Sequence, residues 1–157
     1  KNLNSQYDYV INIQGDEPMI DPRNIDKAIA PLVKDKTINI STLCIKVRDK
    51  KEINNPNVVK VVLDTNNNAL YFSRSIIPFN RDNTIAEHYK HIGLYVYRKN
   101  YLLKLTKMKP SKLERTEKLE QLRVLESGEK IKVIETKIDS HSVDTPADLR
   151  NIKKLIL

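Results

Sequence analysis

The sequence predicts an α/β protein with a mixed, mostly parallel sheet and flanking helices. Segments with strand-like alternation follow one another with helical segments in between, which is the order typical of α/β sheets. The run Asp64-Thr65-Asn66-Asn67-Asn68 separates two apolar segments as a hairpin turn would, so part of the sheet should be antiparallel. The 157 residues, 39% of them hydrophobic, suffice for one domain with a core, and we assign residues 1–157 to it.

The first half of the chain predicts one helix among several strands. Four segments are apolar, alternating or β-branched and are predicted as strands: residues 7–13, 38–47, 58–63 and 69–72. The first strand ends in a polar loop over residues 14–18. Residues 22–35 predict a helix with Pro22 near its start. The apolar face of this helix is predicted to contain Ile25, Ile29, Leu32 and Val33.

The second half alternates in the same way. Residues 79–90 predict a polar loop, residues 92–97 and 131–138 two further strands, and residues 99–107 a short helix. Ser111 and Glu114 have the spacing of a capping box, which predicts a helix that runs to Ser127 and ends at Gly128. Thr145 is expected to cap a final helix.

Composition and charge limit the classes of partner. The formal net charge is +8, but the basic residues are scattered, and many stand beside acidic residues at helical spacing. No zinc-finger spacing or RNA-binding aromatic motif is present, so we expect a solvated surface and no nucleic-acid partner. No segment approaches the ~18 consecutive apolar residues of a membrane span, and residues 1–6 lack the apolar core of a signal peptide. With Cys44 as the single cysteine, no internal disulfide can form, which agrees with a cytoplasmic protein.

The polar loop after the first strand is the first candidate for chemistry. In Gln14-Gly15-Asp16-Glu17-Pro18, two adjacent carboxylates follow an apolar strand, where ligands of α/β sheets commonly bind. One or two carboxylates together with substrate phosphates are the usual ligands of Mg²⁺. An ordinary strand-end turn has the same residue types, and taken alone the two interpretations are about equal.

Asp144 is the second candidate. It precedes Thr145-Pro146 at a predicted helix start, and by itself it is better explained as a helix cap. If the loops that carry Asp16 and Asp144 converged at one edge of the sheet, the two carboxylates would form a metal clamp.

Basic and aromatic residues in the middle of the chain form a third group. Arg74 follows an apolar strand, and its guanidinium suits paired hydrogen bonds to a carboxylate or phosphate. Lys90 is better explained as a surface residue, and Arg81 could be one as well. His91 could be a structural histidine, and Tyr95, four residues on, should share its strand face.

Polar residues on the predicted helix 111–127 form a fourth group. They are Glu117, Glu120, Gln121 and Arg123. A solvated helix face explains them, with Glu117 supporting Gln121 at helical spacing, although a polyhydroxylated sugar also requires such acceptors and amides. Cys44 lies among apolar residues and should be a buried, inert thiol.

Taken together and in order, the segments resemble the 3-deoxy-manno-octulosonate (Kdo) cytidylyltransferases. The stretches that carry the resemblance are NIQGDEPMI (12–20), NPNVVKVVLD (55–64), ALYFSRSIIP (69–78), HIGLYVYR (91–98), EKLEQLRVLESGEKI (117–131) and VDTPADL (143–149). They cover nearly the whole chain. The resemblance implies a Rossmann-like nucleotidyltransferase fold and the transfer of CMP from CTP to Kdo for lipopolysaccharide biosynthesis, with pyrophosphate as the second product.

The resemblance also implies roles for individual residues. Asp16 and Asp144 match the carboxylates that hold Mg²⁺ and act in catalysis. Positions near the Kdo sugar are matched by Gln14, Arg74, His91, Tyr95, Glu120 and Gln121. Arg74 would pair with the sugar carboxylate or a phosphate, while the others would address hydroxyl groups. Members are commonly homodimers, and the strand at 69–78 with its neighbouring loop is a candidate interface.

One feature of the family has no counterpart in this sequence. Members begin with a strand and a basic, glycine-containing loop that binds the CTP phosphates, whereas only eleven residues precede Asn12. We therefore expect the chain to correspond to the C-terminal portion of such an enzyme. A cytidylyltransferase for 8-amino-Kdo or sialic acid and a non-catalytic binding or dimerisation module are the alternatives.

Overall fold

The computed structural model describes residues 7–82, 86–140, 143, 149–150 and 152–153. Its strands are β1 (Tyr9–Ile13), β2 (Ile40–Val47), β3 (Lys60–Leu63), β4 (Ala69–Ser73), β5 (His88–Arg98) and β6 (Lys132–Thr136). Its helices are α1 (Pro22–Lys34), α2 (Lys50–Asn54), α3 (Lys99–Leu105), α4 (Lys112–Glu117) and α5 (Gln121–Glu126). The alternation predicted from the sequence is confirmed, although the short helix α2 was not predicted. The final helix predicted after Thr145 begins outside the described residues.

Strand β5 is the centre of the sheet. It pairs antiparallel with β1, β2 and β3, and Tyr97 stands between Val10 of β1 and Ile40 of β2. Strand β6 lies parallel to β2, and β4 forms the predicted hairpin with β3. A mixed sheet is therefore confirmed.

The expectation that most of this sheet is parallel is wrong for the pairings in the described part of the chain. Four strands run in one direction, but β5 lies among them and runs in the other. As a result β2 and β6 form the one parallel pair among the five ladders.

The register between β2 and β5 shifts at one point. Thr42 is opposite Tyr95, whereas the next residue, Leu43, is opposite Ile92. Gly93 and Leu94 therefore have no partner in β2 and form a bulge, which bends the strand and redirects nearby groups.

The two faces of the sheet pack against different helices. On one face, Ala28 and Leu32 of α1 contact Leu43, Leu94 and neighbouring apolar residues of the strands. The side chain of Asp21 caps α1 by accepting a hydrogen bond from Arg23 N, and Pro22 occupies the first turn as predicted. Val33 was expected on the buried face but is 60% exposed, because the contact surface centres on Ala28 and Leu32.

The other face is covered by helices from the second half of the chain. Tyr101 and Leu105 of α3 and Leu122 of α5 pack there with Tyr95 and Tyr97 of β5. Further members of this cluster are Ile40, Cys44, Val61, Ala69, Phe72, Leu119, Val124, Ile131 and Val133.

The helix predicted over residues 111–127 is two helices. The capping box of Ser111 and Glu114 is present and begins α4, and Gly128, with φ of 81°, follows the end of α5 as predicted. Between them Lys118 adopts a left-handed conformation with φ of 57°, which ends α4 because a helix cannot continue through it. The break lets Leu119 enter the core and leaves Glu120 as the N-cap of α5.

Candidate active site

A polar cavity of about 640 Å³ opens where β1 ends, beside the bulge of β5 and the α4–α5 break. It is lined by every predicted site residue that the structure describes, namely Gln14, Asp16, Arg74, His91, Tyr95, Glu120 and Gln121. These residues are separated by up to about a hundred positions in the sequence, so the fold brings them together. Arg81, which the sequence left open, is exposed and does not line the cavity.

Glu17 anchors the loop after β1 to the rest of the structure. This buried carboxylate accepts hydrogen bonds from Gly93 N, at 3.4 Å, and from the Ser140 hydroxyl. The side chain of Gln14 lies flat on Gly93, where a Cβ atom would be 3.1 Å from Gln14 Oε1. The glycine at the bulge therefore permits the close approach of the Gln14 amide. Because both oxygens of the Glu17 carboxylate accept hydrogen bonds within the protein, Glu17 has a structural role and is not a free ligand.

Asp16 is in a different environment from Glu17. Its carboxylate is half-buried at the cavity, and among the described residues it has no hydrogen-bond or ion-pair partner. Its backbone carbonyl accepts a hydrogen bond of 2.8 Å from Val143 N. Asp144 is the next residue in the sequence but lies outside the described residues.

The centre of the cavity wall is aromatic. The ring of His91 makes an edge contact with Phe72 and a tilted contact with Tyr95, each with centroids 5.2 Å apart. The predicted common face of His91 and Tyr95 is thus confirmed. Burial lowers the pKa of His91 to about 3, so the imidazole is neutral at pH 7. The buried Tyr95 hydroxyl has no hydrogen-bond partner among the described residues, an arrangement that native proteins seldom leave without a ligand or water.

Arg74 is held at the cavity wall by backbone contacts. Its Nε donates to the carbonyl of Glu117 and its Nη1 to the carbonyl of Pro56, both at 3.0 Å. The Glu117 carboxylate in turn accepts from Ser73 Oγ, at 2.6 Å, and from Arg74 N, at 3.0 Å. The expectation that Glu117 supports Gln121 on a common helix is therefore wrong, because Glu117 ends α4 and binds β4.

Lys60 holds together two segments at the cavity wall, one of which contains Arg74. Although its side chain is buried, Nζ donates to three carbonyls, those of Asn55 (3.0 Å), Val58 (2.7 Å) and Arg74 (2.5 Å). Its pKa is lowered, first of all by burial and then by the nearby Arg74 charge. The lysine thereby ties the loop before β3 to the residue after β4, and both segments contribute to the cavity wall.

Glu120 and Gln121 enter the cavity from the start of α5. Arg123, also on α5, has its Nη2 at 2.6 Å from Glu114 Oε1 and at 3.7 Å from Glu120 Oε1. The ion pair with Glu114 is largely buried, and its hydrogen bonds lower the pKa of Glu114. The ion pair between Arg123 and Glu114 therefore links α5 to α4.

Sequence reasoning missed several residues of the cavity. Lys90 was interpreted as a surface lysine, yet it lines the cavity, and its Nζ lies 2.7 Å from Asp139 and 3.4 Å from Glu52. Strand alternation places Lys90 on the opposite side of β5 from His91 and Tyr95, so the sequence pattern did not indicate that it lines the cavity. Ser140 also lines the cavity and carries no sequence motif.

The residues present fit a magnesium site only in part. In the described ranges, no cluster of three or more His, Cys, Asp or Glu side chains could hold a metal ion. Asp16 offers one carboxylate without a partner there, which suits Mg²⁺, since this ion typically takes one or two protein carboxylates and completes its shell with phosphates and water. The carboxylate of Asp16 is therefore a suitable donor for Mg²⁺, and the metal itself, with Asp144 as its second ligand, stays a prediction.

Known proteins resemble this chain over most of its length. Residues 1–131 match the family model described as cytidylyltransferase. A 3-deoxy-manno-octulosonate cytidylyltransferase of Solibacter usitatus is 49% identical over 93% of this chain and 58% of its own length. The enzyme of the same name from Geobacter metallireducens is 49% identical over 92% of this chain and 61% of its own length. The chain thus spans about three fifths of these relatives, and the resemblance seen in the sequence is confirmed.

Solved structures show the same relationship. A CMP:2-keto-3-deoxy-manno-octonic acid synthetase complexed with CTP superposes with a TM-score of 0.89 at 39% identity, covering 96% of this chain and 62% of that one. An inositol-1-phosphate CTP transferase from T. maritima, with a TM-score of 0.59 and 19% identity, shares the fold alone. None of the helices in the described ranges is long and apolar enough to span a membrane.

Proposed function

Because the chain belongs to the cytidylyltransferase family, we propose that it transfers CMP from CTP to Kdo, yielding CMP-Kdo and pyrophosphate for lipopolysaccharide biosynthesis in the cytoplasm. Since the chain spans 58% and 61% of the two relatives above, the activity is proposed for the complete gene product. The observation that carries the proposal is the convergence of seven predicted site residues on one polar cavity.

The cavity has the functional groups that an acidic sugar requires. Kdo carries a carboxylate and several hydroxyl groups, so its binding site needs a cation and a set of hydrogen-bonding partners. Arg74 offers the cation, and the amides, carboxylate and phenol come from Gln14, Gln121, Glu120 and Tyr95.

Asp16 is proposed to hold Mg²⁺ together with Asp144. The hydrogen bond from Val143 N to Asp16 O supports this pairing, since covalent geometry keeps neighbouring Cα atoms only about 3.8 Å apart. Bound there, the ion would offset the repulsion between two anionic substrates and stabilise the charge that develops during transfer.

The chain's own residues serve mainly to position the sugar. In the proposed reaction the anomeric oxygen of Kdo bonds to the α-phosphorus of CTP, its proton is released, and the bond to pyrophosphate breaks. The aromatic wall of His91 and Tyr95 fixes the sugar ring, and Arg74 orients its carboxylate. Holding a poor nucleophile in line with the phosphorus removes much of the entropic barrier.

A variant of Asp16 tests the proposed activity. In the complete gene product, Asp16→Asn should lower pyrophosphate release with CTP and Kdo by ~10²-fold or more, because an amide is a much weaker Mg²⁺ ligand. Asp26→Asn is the matched control, since Asp26 is exposed on α1 and does not line the cavity. Release by Asp16→Asn equal to that of the control would remove Asp16 from the metal site.

The choice of sugar is tested with the same assay. Kdo, 8-amino-Kdo and sialic acid should be compared at equal concentration, and Kdo should give the highest kcat/KM. A preference for either of the other sugars would assign the enzyme to that substrate. Calorimetric titration with Mg²⁺-CTP and Kdo that detects no binding would instead favour a non-catalytic module.

We also propose that the protein forms a homodimer. Leu70 on the edge strand β4 is 60% exposed, and Phe79 on the loop that follows is 84% exposed. Apolar side chains this exposed suit a self-complementary contact. Sedimentation velocity should show a dimer that Phe79→Ser weakens, and a monomer at all concentrations would contradict the proposal.

A further inference from the structure

The hydroxyl of Thr42 occupies a buried junction between two strands. Thr42 lies on β2 opposite the bulge of β5 and is fully buried. Its Oγ1 is 2.8 Å from Leu94 O, 3.4 Å from Ile92 O and 2.9 Å from His91 Nε2. The bulge produces this arrangement, because it leaves Leu94 without a partner in β2 and turns its carbonyl toward the threonine.

The three distances fix the direction of the hydrogen bonds. A threonine hydroxyl has one hydrogen to donate, and a backbone carbonyl can only accept. The hydrogen therefore points to a carbonyl, and Leu94 O is the closer of the two. Oγ1 is then an acceptor toward His91, so the proton of the imidazole must be on Nε2. The reverse arrangement would leave Oγ1 and Leu94 O, two oxygens 2.8 Å apart, with no hydrogen between them.

A proton on Nε2 determines what the other ring nitrogen can do. The neutral imidazole then has a lone pair on Nδ1, which is a hydrogen-bond acceptor. Nδ1 has no partner among the described residues, and His91 lines the cavity. The depressed pKa of His91 agrees with a ring that keeps this lone pair at neutral pH. The contacts with Phe72 and Tyr95 hold the ring plane in place.

We propose that Thr42 is a positioning residue that fixes the tautomer of His91, so that Nδ1 accepts a hydrogen bond from a sugar hydroxyl in the cavity. The part concerning the sugar rests on the proposed function, whereas the tautomer does not. The arrangement selects for an O–H donor at this point of the ligand, because the opposite tautomer would present an N–H group and favour an acceptor.

The tautomer is tested first, by ¹⁵N NMR of imidazole-labelled protein at pH 7. The wild-type His91 should show a protonated Nε2 and an unprotonated Nδ1. Thr42→Ser, which keeps the hydroxyl, should give the same pattern, whereas Thr42→Val should give a mixture of tautomers. A wild-type ring protonated on Nδ1 or on both nitrogens would overturn the proposal, as would a Thr42→Val spectrum identical to the wild type.

The consequence for the substrate is tested in the complete gene product. Thr42→Val should raise the KM for Kdo by ~10-fold and leave the KM for CTP within about twofold, and Thr42→Ser should restore the wild-type values. Ser41→Ala is the matched control: it also removes a buried hydroxyl that donates to a carbonyl, Ala28 O at 2.6 Å, but on the opposite face of β2. Equal effects of Thr42→Val and Ser41→Ala on the KM for Kdo would show a merely structural role.

The two proposals can fail separately. If the wild-type gene product does not turn over Kdo, the proposed function fails while the NMR spectra still decide the tautomer. If turnover is normal and the spectra show the wrong tautomer, the role of Thr42 fails alone.

Discussion

The neutral, partly buried ring of His91 should make the stability of the protein depend on pH in a specific range. Its pKa is about 3 in the folded protein, against an ordinary value of 6.5. Between these values the unfolded chain binds a proton that the folded protein does not. The ionisation of His91 therefore leaves the free energy of unfolding nearly unchanged above pH 6.5 and lowers it progressively as the pH falls from 6.5 toward 3.

The magnitude follows from the two pKa values. Each pH unit below 6.5 lowers the free energy of unfolding by about 1.4 kcal/mol, until the pH approaches 3. Between pH 7 and pH 5 the loss due to His91 is therefore about 2 kcal/mol. Ordinary Asp and Glu side chains titrate below this range, which isolates the histidine contribution.

The assay compares urea unfolding of the wild type and His91→Gln at several pH values between 7 and 5. Circular dichroism is the suitable signal, because the chain has no tryptophan. The free energy of unfolding should fall by about 2 kcal/mol more in the wild type than in His91→Gln, since glutamine does not titrate. Lys36→Gln, a substitution at an exposed position on the loop after α1, should behave like the wild type. Parallel curves for the wild type and His91→Gln would refute the reasoning.

Three further predictions concern the cavity wall and the core. Lys60→Met should lower the free energy of unfolding by about 3 kcal/mol in urea titrations, because three carbonyls lose their hydrogen-bond donor. An unchanged urea midpoint would show that the hydrogen bonds of Lys60 do not stabilise the fold. Gly93→Ala should raise the KM for Kdo several-fold with little change in the KM for CTP, because the new Cβ would be 3.1 Å from Gln14 Oε1 and must displace that amide. Unaltered kinetics would mean that Gln14 does not contact the sugar. Cys44, fully buried and with its pKa raised to about 12 by burial, should react with a thiol reagent at pH 8 at least ~10²-fold more slowly in buffer than in urea. Similar rates in both solvents would contradict the buried position.

The elements with strong local signals could be predicted from the sequence. Helix α1 was predicted over residues 22–35 and is observed at Pro22–Lys34, because its proline, its cap and its apolar spacing are all local. The hairpin of β3 and β4 was predicted for the same reason, since its turn residues lie in the sequence between the two strands.

Features decided by distant contacts could not be predicted in this way. The helix break at Lys118 accompanies hydrogen bonds from Ser73 and Arg74 to Glu117, more than forty positions away, and the local sequence there is compatible with one continuous helix. Strand β5 begins at His88 rather than at Ile92, because pairing with Val47 of β2 extends it. The polar residues before Ile92 gave no apolar pattern that could indicate this.

In the candidate site, too, some residues could be predicted from the sequence and others could not. The family resemblance indicated the residues that line the cavity, and the structure brings the described ones together. Thr42 was not found, because a threonine in an apolar strand has no distinguishing pattern, and its importance depends on the bulge that faces it. Lys90 was misjudged because its acidic partners are distant in the sequence: Glu52 lies on helix α2 and Asp139 lies in the loop after β6.

The central position of β5 has a consequence for the order of folding. Strands β1 and β2 have no ladder with each other, and β1 pairs only with residues 94–98. During synthesis, the hairpin of β3 and β4 is therefore the one part of this sheet that can pair before β5 has left the ribosome. The loops closed by the later pairings span many tens of residues, and such non-local contacts slow folding. We expect the earlier strands to wait unpaired during translation, when they would be most exposed to chaperones and to aggregation.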